Sequence, residues 1–328
     1  MNYRFKKYFT FILILFILFC SYSTLYAQNN PNKVVFIGTG PVVGVYFPAG
    51  GAICLVSNTK MIELGLRCAV ESSEGSFENL QRLRDHSLDF SIVQSDWQNY
   101  AFTGTGPFEK LGAFKELRSI FSLYAEAITV VVRKDSNITK FTDLKNKRVN
   151  IGLPGTAQRA LIESLFARFN WQISDMPNAL EIDMNQQAQS LCNNKLDAFI
   201  LPVSHPNGAI EEATRSCAAV LIDVQGPEID QFVTSTPYLA KTTIPAGLYI
   251  GNTHNVNTFG LKATFVTTTA MSNDMVYELV KSIFEDFDRF KSMHPVFEVL
   301  TIDQMIKFGN TAPLHDGALR YYKEKGLL

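Results

Sequence analysis

Residues 34–51 read VVFIGTGPVVGVYFPAGG, and no other stretch limits the possible folds of this chain so strongly. Val34, Val35, Phe36 and Ile37 form a short apolar run of β-branched and aromatic residues, the pattern of a strand buried on both faces. Gly38-Thr39-Gly40 and Gly44 let the backbone turn tightly and leave its N–H groups uncovered. Pro48 suits the first turn of a helix, which Ala52, Ile53, Leu55 and Val56 continue. A strand, a glycine loop and a helix N-terminus together make a place for an anion. The first helical N–H groups lack partners and the helix dipole favours negative charge there. Two other readings share the pattern. G-x-G-x-x-x-G is one residue longer than the dinucleotide fingerprint, with Glu71 ending the next strand, and a glycine loop can be a purely structural turn.

The first 27 residues read as a secretory signal. Arg4, Lys6 and Lys7 make a basic start, Phe9 to Phe19 is an apolar run too short to span a bilayer, and Leu25-Tyr26-Ala27 offers a cleavage site before Gln28. An uncleaved anchor is the alternative. A lipoprotein site at Cys20 is disfavoured by the bulky Phe19 before it. Removing the segment leaves 27 basic against 31 acidic residues and moves the formal charge from −1 to −4. That balance gives no electrostatic footprint for nucleic acid. The chain is 46% apolar, and about 300 mature residues suffice for a large core in two lobes.

Four cysteines remain after cleavage: Cys54, Cys68, Cys192 and Cys217. They allow three connectivities. Cys54 lies on the first helix and Cys68 in the next strand. Cys192 ends a helix before the strand at Leu196, and Cys217 ends the following helix. The expected pairs are Cys54–Cys68 and Cys192–Cys217, each stabilising by ~3 kcal/mol in an oxidising compartment. Four free buried thiols are the alternative.

Strands and helices alternate along the chain. Strand-like runs cover Leu66 to Val70, Leu88 to Val93, Leu117 to Leu123, Ile128 to Val132, Arg148 to Ile151, Ile182, Leu196 to Ile200 and Phe259 to Thr267, the last expected beside Ile128 to Val132. Helical patterns follow Ser76, Ala157 and Ser272. After Ser272, apolar residues Val276, Leu279, Val280, Ile283, Phe284 and Phe287 recur at helical spacing. Polar loops end the strands, at Glu71 to Gly75, Gln94 to Asp96, Gly152 to Thr156 and Pro202 to Asn207. The plan implies an α/β fold with parallel sheets and ligand loops at the carboxyl ends of the strands, twice over. No GxSxG, HExxH, P-loop or acidic calcium loop occurs, and the five histidines show no metal-ligand spacing. Neither a catalytic centre, a metal nor a cofactor is expected.

An ordered set of short pieces runs through the mature chain: Gly38-Thr39-Gly40 with Tyr46 to Gly51, Glu71-Ser72 with Gly75-Ser76, Gln94-Ser95-Asp96, Val131-Val132-Arg133, Asp143-Leu144-Lys145, Pro154-Gly155-Thr156, His205-Pro206-Asn207, Pro245-Ala246-Gly247 and Pro313-Leu314-His315. In this set the chain resembles the TAXI-type solute-binding receptors of tripartite ATP-independent periplasmic (TRAP) transporters. It departs from them at Pro41-Val42-Val43 and at Asp316. The resemblance implies a type II periplasmic-binding-protein fold: two α/β lobes, two crossing strands and a cleft that closes on solute. The lobes would be 28–128 and 129–261, with 262–328 returning to the first. It further implies a periplasmic monomer that takes a small carboxylate or amino acid, glutamate-like or 2-oxoglutarate-like, to TRAP permease subunits. An enzyme or a ligand sensor on the same plan is the alternative.

The residues expected to hold the ligand are those whose loops reach the cleft. Thr39 and Gly40 would offer a hydroxyl and a backbone N–H. Tyr46 would lay its ring along the ligand. Ser73 and Gly75 lie in the second loop, and Gln94 and Ser95 in the third, where Asp96 orients them. Gly155 and Thr156 would mirror the first site from the second lobe. Arg159 or Arg133 would pair with a carboxylate. Glu126 would bind an amino group or hold the hinge, and His205 would act as a ligand or as a structural cap.

Overall fold

The computed structural model describes residues 33–42, 44–63, 66–154 and 156–328. The secretory segment and Gly155 lie outside the described residues. Strand and helix alternate first as β1 (Lys33–Gly38), α1 (Tyr46–Glu63), β2 (Leu66–Glu71), α2 (Ser76–Arg84), β3 (Phe90–Gln94) and α3 (Ser95–Thr103). β1 lies between β2 and β3, parallel to both. The loops that follow the three strands therefore gather at one edge of the sheet. On β1, β3 reaches only Ile37 and Gly38, so β1 is uncovered at its start and Val34 is 39% exposed. The strand is buried on both faces only near its end.

The next element, β4 (Leu117–Arg133), is one strand of 17 residues. The sequence splits it into two apolar runs around Tyr124-Ala125-Glu126. In the structure those three residues are its middle. The second half holds β5 (Val149–Asn150), α4 (Ala157–Arg168), α5 (Gln187–Cys192), β6 (Ala198–Val203), α6 (Gly208–Cys217), β7 (Ala219–Ile222), α7 (Pro227–Ser235), β8 (Leu239–Ile244) and β9 (Val256–Thr268). The chain closes with α8 (Asn273–Glu285), α9 (Phe287–Ser292), α10 (Ile302–Lys307) and α11 (Asp316–Glu324). No strand forms at Ile182. Only a bridge between Asn150 and Leu180 is made there, and the Asn150 side chain takes the Ile182 N–H.

The strand order is β2-β1-β3-β9-β4-β6-β5, with β7 on β4 and β8 on β9. β9 runs antiparallel to residues 117–127 of β4, and not beside 128–132 as the sequence suggested. The end of β4 is already flanked by β6 and β7. Register shifts between Ser119 and Phe121 and between Ser122 and Ala125 bend β4 without ending it. Buried apolar residues fall into separate clusters on either side of this crossing. Leu123 and Ala263 pack in one with Phe265, Leu279 and Tyr322, while Ile128 and Leu261 pack in another with Val130, Phe166 and Ile200. The molecule is thus two α/β lobes joined by two crossing strands. Cys54 on α1 is bonded to Cys68 on β2, and Cys192 at the end of α5 to Cys217 at the end of α6.

At the crossing β4 and β9 come too close for a side chain. A Cβ on Gly260 would stand 2.1 Å from the Glu126 carbonyl oxygen and 2.9 Å from Ala127 Cα, both backbone atoms that cannot yield cheaply. Gly260→Ala is expected to cost about 1–3 kcal/mol, read as a lower denaturant midpoint. An unchanged midpoint would mean that the strands are not held this tightly.

Candidate functional site

The loops at the carboxyl ends of β1, β2 and β3 are stitched together by their own polar groups. Thr39 donates its hydroxyl to the Glu71 carbonyl at 2.6 Å and its N–H to the same oxygen at 3.0 Å. Ser73 Oγ donates to Thr39 O at 3.0 Å and accepts the Gly75 N–H at 3.0 Å. Asn79, buried on α2, donates to Thr39 O and to Ile92 O. Ser76 Oγ accepts the Gln94 N–H at 3.0 Å. Apart from the Ile92 carbonyl of β3, the members of this mesh are strand-end or loop residues or sit on the first turns of α2, and together they fix where Gly40, Gly75 and Gln94 stand.

Those three residues line one cavity of about 350 Å3 with Tyr46, Ser76, Tyr124 and Glu126, and Pro202 to Ser204 of the second lobe close its far side. Glu126, midway along β4, forms the floor. Tyr46 Oη donates to Glu126 Oε1 at 3.1 Å, and Gln94 Nε2 donates to Oε2. A carboxylate has roughly four lone-pair sites, so these two donors leave capacity for a guest. At the rim, α2 begins without a side-chain cap at Gly75, which leaves first-turn N–H groups and the positive dipole end facing the cavity. Tyr124 Oη is buried without a hydrogen-bond partner among the described residues.

A profile of the NMT1-like family matches residues 37–326. The chain belongs to the NMT1-like family. The fold of this NMT1-like chain is also similar to that of solved solute-binding proteins. A TctC solute-binding protein from Polaromonas is 14% identical over 90% of this chain and 98% of its own, with a TM-score of 0.55. The periplasmic sulfonate-binding protein SsuA from Methylobacillus flagellatus KT is 12% identical over 91% of this chain and 88% of its own, with a TM-score of 0.51. At such identities the likeness shows the fold, that of periplasmic solute-binding proteins.

The other expected ligand residues of the NMT1-like chain face elsewhere. Thr39 is fully buried and its hydroxyl is taken by Glu71 O. Both bonds of the Ser73 hydroxyl are internal. Ser95 is the first residue of a helix, not of a loop, and is fully buried. It donates to Tyr238 O and accepts the Lys262 N–H, so it joins lobe to lobe. Thr156 caps α4 and donates to Leu153 O. Arg159 is held by Glu163 and Glu181, each at 2.7 Å, and Arg133 clasps Asp135 through two bonds. The structure brings no mirrored pair of threonine hydroxyls together, because Thr39 is used by the end of β2 and Thr156 by its own loop.

His205 also belongs to the framework. Thr129 donates its hydroxyl proton to Ala127 O, so it accepts from His205 Nε2 at 2.8 Å. Nδ1 then accepts from Tyr249 Oη at 2.7 Å, and that oxygen accepts the Asn207 N–H. Burial draws the imidazole pKa down to about 4, which agrees with a neutral ring using both nitrogens. His205→Ala is expected to cost about 2 kcal/mol by stranding the Tyr249 hydroxyl and to leave ligand affinity unchanged. A fall in affinity at full stability would put His205 back in the site.

Acidity sets the electrostatics of the cleft. Burial pushes the Glu126 carboxyl up, against the lowering bonds from Tyr46 and Gln94. Asp96, in the first turn of α3, is pushed up to about 7 by burial, against its bond from the Trp97 N–H, and the Glu126 charge adds to the rise. Among the described residues no Lys or Arg lines the 350 Å3 cavity. The sequence leaves Glu126 open between an amino-group ligand and a hinge bond. The signal is the one carboxylate of β4, set between two apolar runs, which must find partners or a guest. Among the described residues no group of three His, Cys, Asp or Glu residues gathers for a metal.

Proposed function

We propose that this NMT1-like chain is an extracytoplasmic solute-binding protein that captures a small α-amino acid between its lobes. The observation that carries this reading is the half-buried Glu126 carboxylate, with lone pairs to spare, sharing one small cavity with the uncapped start of α2. An ammonium group fits the first and a carboxylate the second. A guest that touches both lobes favours the closed arrangement only through contacts made there. Pro202 to Ser204 across the cleft supply the second wall.

The finer reading is a TAXI-type receptor. The protein is exported with a cleaved signal, acts as a periplasmic monomer without turnover of its ligand, and delivers its solute to TRAP permease subunits driven by an ion gradient. Division of the chain at about residues 128 and 261 makes β4 and β9 the hinge. A plain dicarboxylate is the second reading. It is favoured by the same raised carboxyls, which when protonated donate to a guest carboxylate.

A melting screen of amino acids and their deaminated analogues tests the proposal. At one hundred times its dissociation constant the correct ligand adds about 2.7 kcal/mol. An amino acid such as glutamate is expected to raise the melting temperature while 2-oxoglutarate does not. The reverse order would favour the dicarboxylate, and no shift with either class would overturn both readings.

A further inference from the structure

The crossing strands have a second side. Successive strand residues point to opposite faces, so Ala125 and its ladder partner Lys262 stand on the side away from Glu126. There a cavity of about 980 Å3 opens between the lobes. Its first-lobe wall carries Gln304 and Phe308, and its second-lobe wall carries Thr243, Asn255 and Asn257.

Lys262 lines this cavity and is only 6% exposed. Its stem lies on Gly309, where a Cβ would stand 2.7 Å from Lys262 Cβ and where φ is +79°. Any other residue at that position would be strained and would press on the lysine. The ammonium makes no ion pair or hydrogen bond with a described residue, and burial alone draws its pKa down to about 8. The other lysine of the wall, Lys241, is by contrast 2.7 Å from Asp230. The amide oxygen of Asn255 accepts from the Ala246 N–H, which leaves its NH2 group for a guest. The stem is buried while the ammonium opens on the cavity, and a poorly solvated cation without a counter-ion is costly, so an anion entering the cavity lowers that cost.

We infer that this rear cavity is a second ligand site, in which the Lys262 ammonium binds a small carboxylate or inorganic oxyanion with the side-chain amides of Asn255 and Gln304 as further donors. The site lies across the crossing strands from Glu126, with Tyr124 lining both cavities, and does not depend on what the front cleft takes.

The test titrates the processed protein with sulfate, phosphate and succinate, each against sodium chloride at equal ionic strength. The readouts are melting temperature and the 13Cε signal of Lys262. A rise of about 2 °C or more beyond the chloride control is expected, with a shift of the lysine signal. A response to succinate alone identifies a carboxylate guest, and a response to sulfate and phosphate identifies an inorganic one. Lys262→Met keeps the buried stem and removes the charge. It is expected to melt higher than the parent without added anion and to lose the response. Glu126→Gln is expected to keep the response, so failure of the amino-acid reading stays distinguishable. No effect beyond chloride on either readout, or a full response in Lys262→Met, would overturn the site.

Discussion

Asp96→Asn is expected to stabilise the protein by up to roughly 4 kcal/mol at pH 8 and by little near pH 4. The direction follows from where the carboxyl sits. Burial, joined by the nearby Glu126 charge, raises its pKa from 3.8 to about 7. The folded state then holds a proton that the unfolded state has released. The stability this provides is complete below pH 3.8 and is lost as pH rises through 7. Asparagine stays neutral throughout and can still accept the Trp97 N–H through its amide oxygen. His205 acts in the opposite sense, since its lowered pKa removes stability as pH falls from 6.5 toward 4. The difference between the Asp96→Asn variant and the parent cancels that contribution. Denaturant unfolding at a series of pH values checks the expectation. Equal stabilities at pH 8 would show that Asp96 is well solvated and ionised.

Glu126→Gln is expected to weaken amino-acid binding about a hundredfold, because it removes one partner of an ion pair that the bound guest closes off from water, worth about 3 kcal/mol. The fold should survive. The glutamine oxygen can still accept from Tyr46, and relief of a half-buried carboxylate offsets the poorer bond to Gln94. Binding in the parent should also weaken as pH falls, because protonating Glu126 or Asp96 removes negative charge that the ammonium needs. Calorimetric titration of parent and variant at pH 6 and pH 8 reads both effects. Equal affinities in the two proteins would exclude Glu126 as the amine's partner.

Much of the architecture was legible because periodicity and strand-end chemistry carry it. The apolar stripe after Ser272 becomes α8, with Val276, Leu279, Val280, Ile283 and Phe284 buried and Ser272 capping Met275 N. What was not legible turns on partners far along the chain. A threonine after a parallel strand can face a ligand or the neighbouring strand, and Thr39 takes Glu71 O, 32 residues away. Ser95 looks like a loop donor until Tyr238 and Lys262 are seen to use it. The capture of Arg159 had a local sign, since Glu163 lies four residues on along the same helix. The polar pair Gln94 and Glu126 meets only because β4 continues through a break in its apolar pattern. An acid within the run YAEAITVVV ends an apolar stretch on paper, while in space it makes the floor of a cleft.

A crystal structure of the processed protein with the amino acid that stabilises it most tests the central reading directly. The account expects the ligand amino nitrogen within about 3 Å of the Glu126 carboxylate and the ligand carboxylate at the first N–H groups of α2. A ligand bound with its carboxylate toward Glu126, or bound wholly outside this cleft, would contradict it.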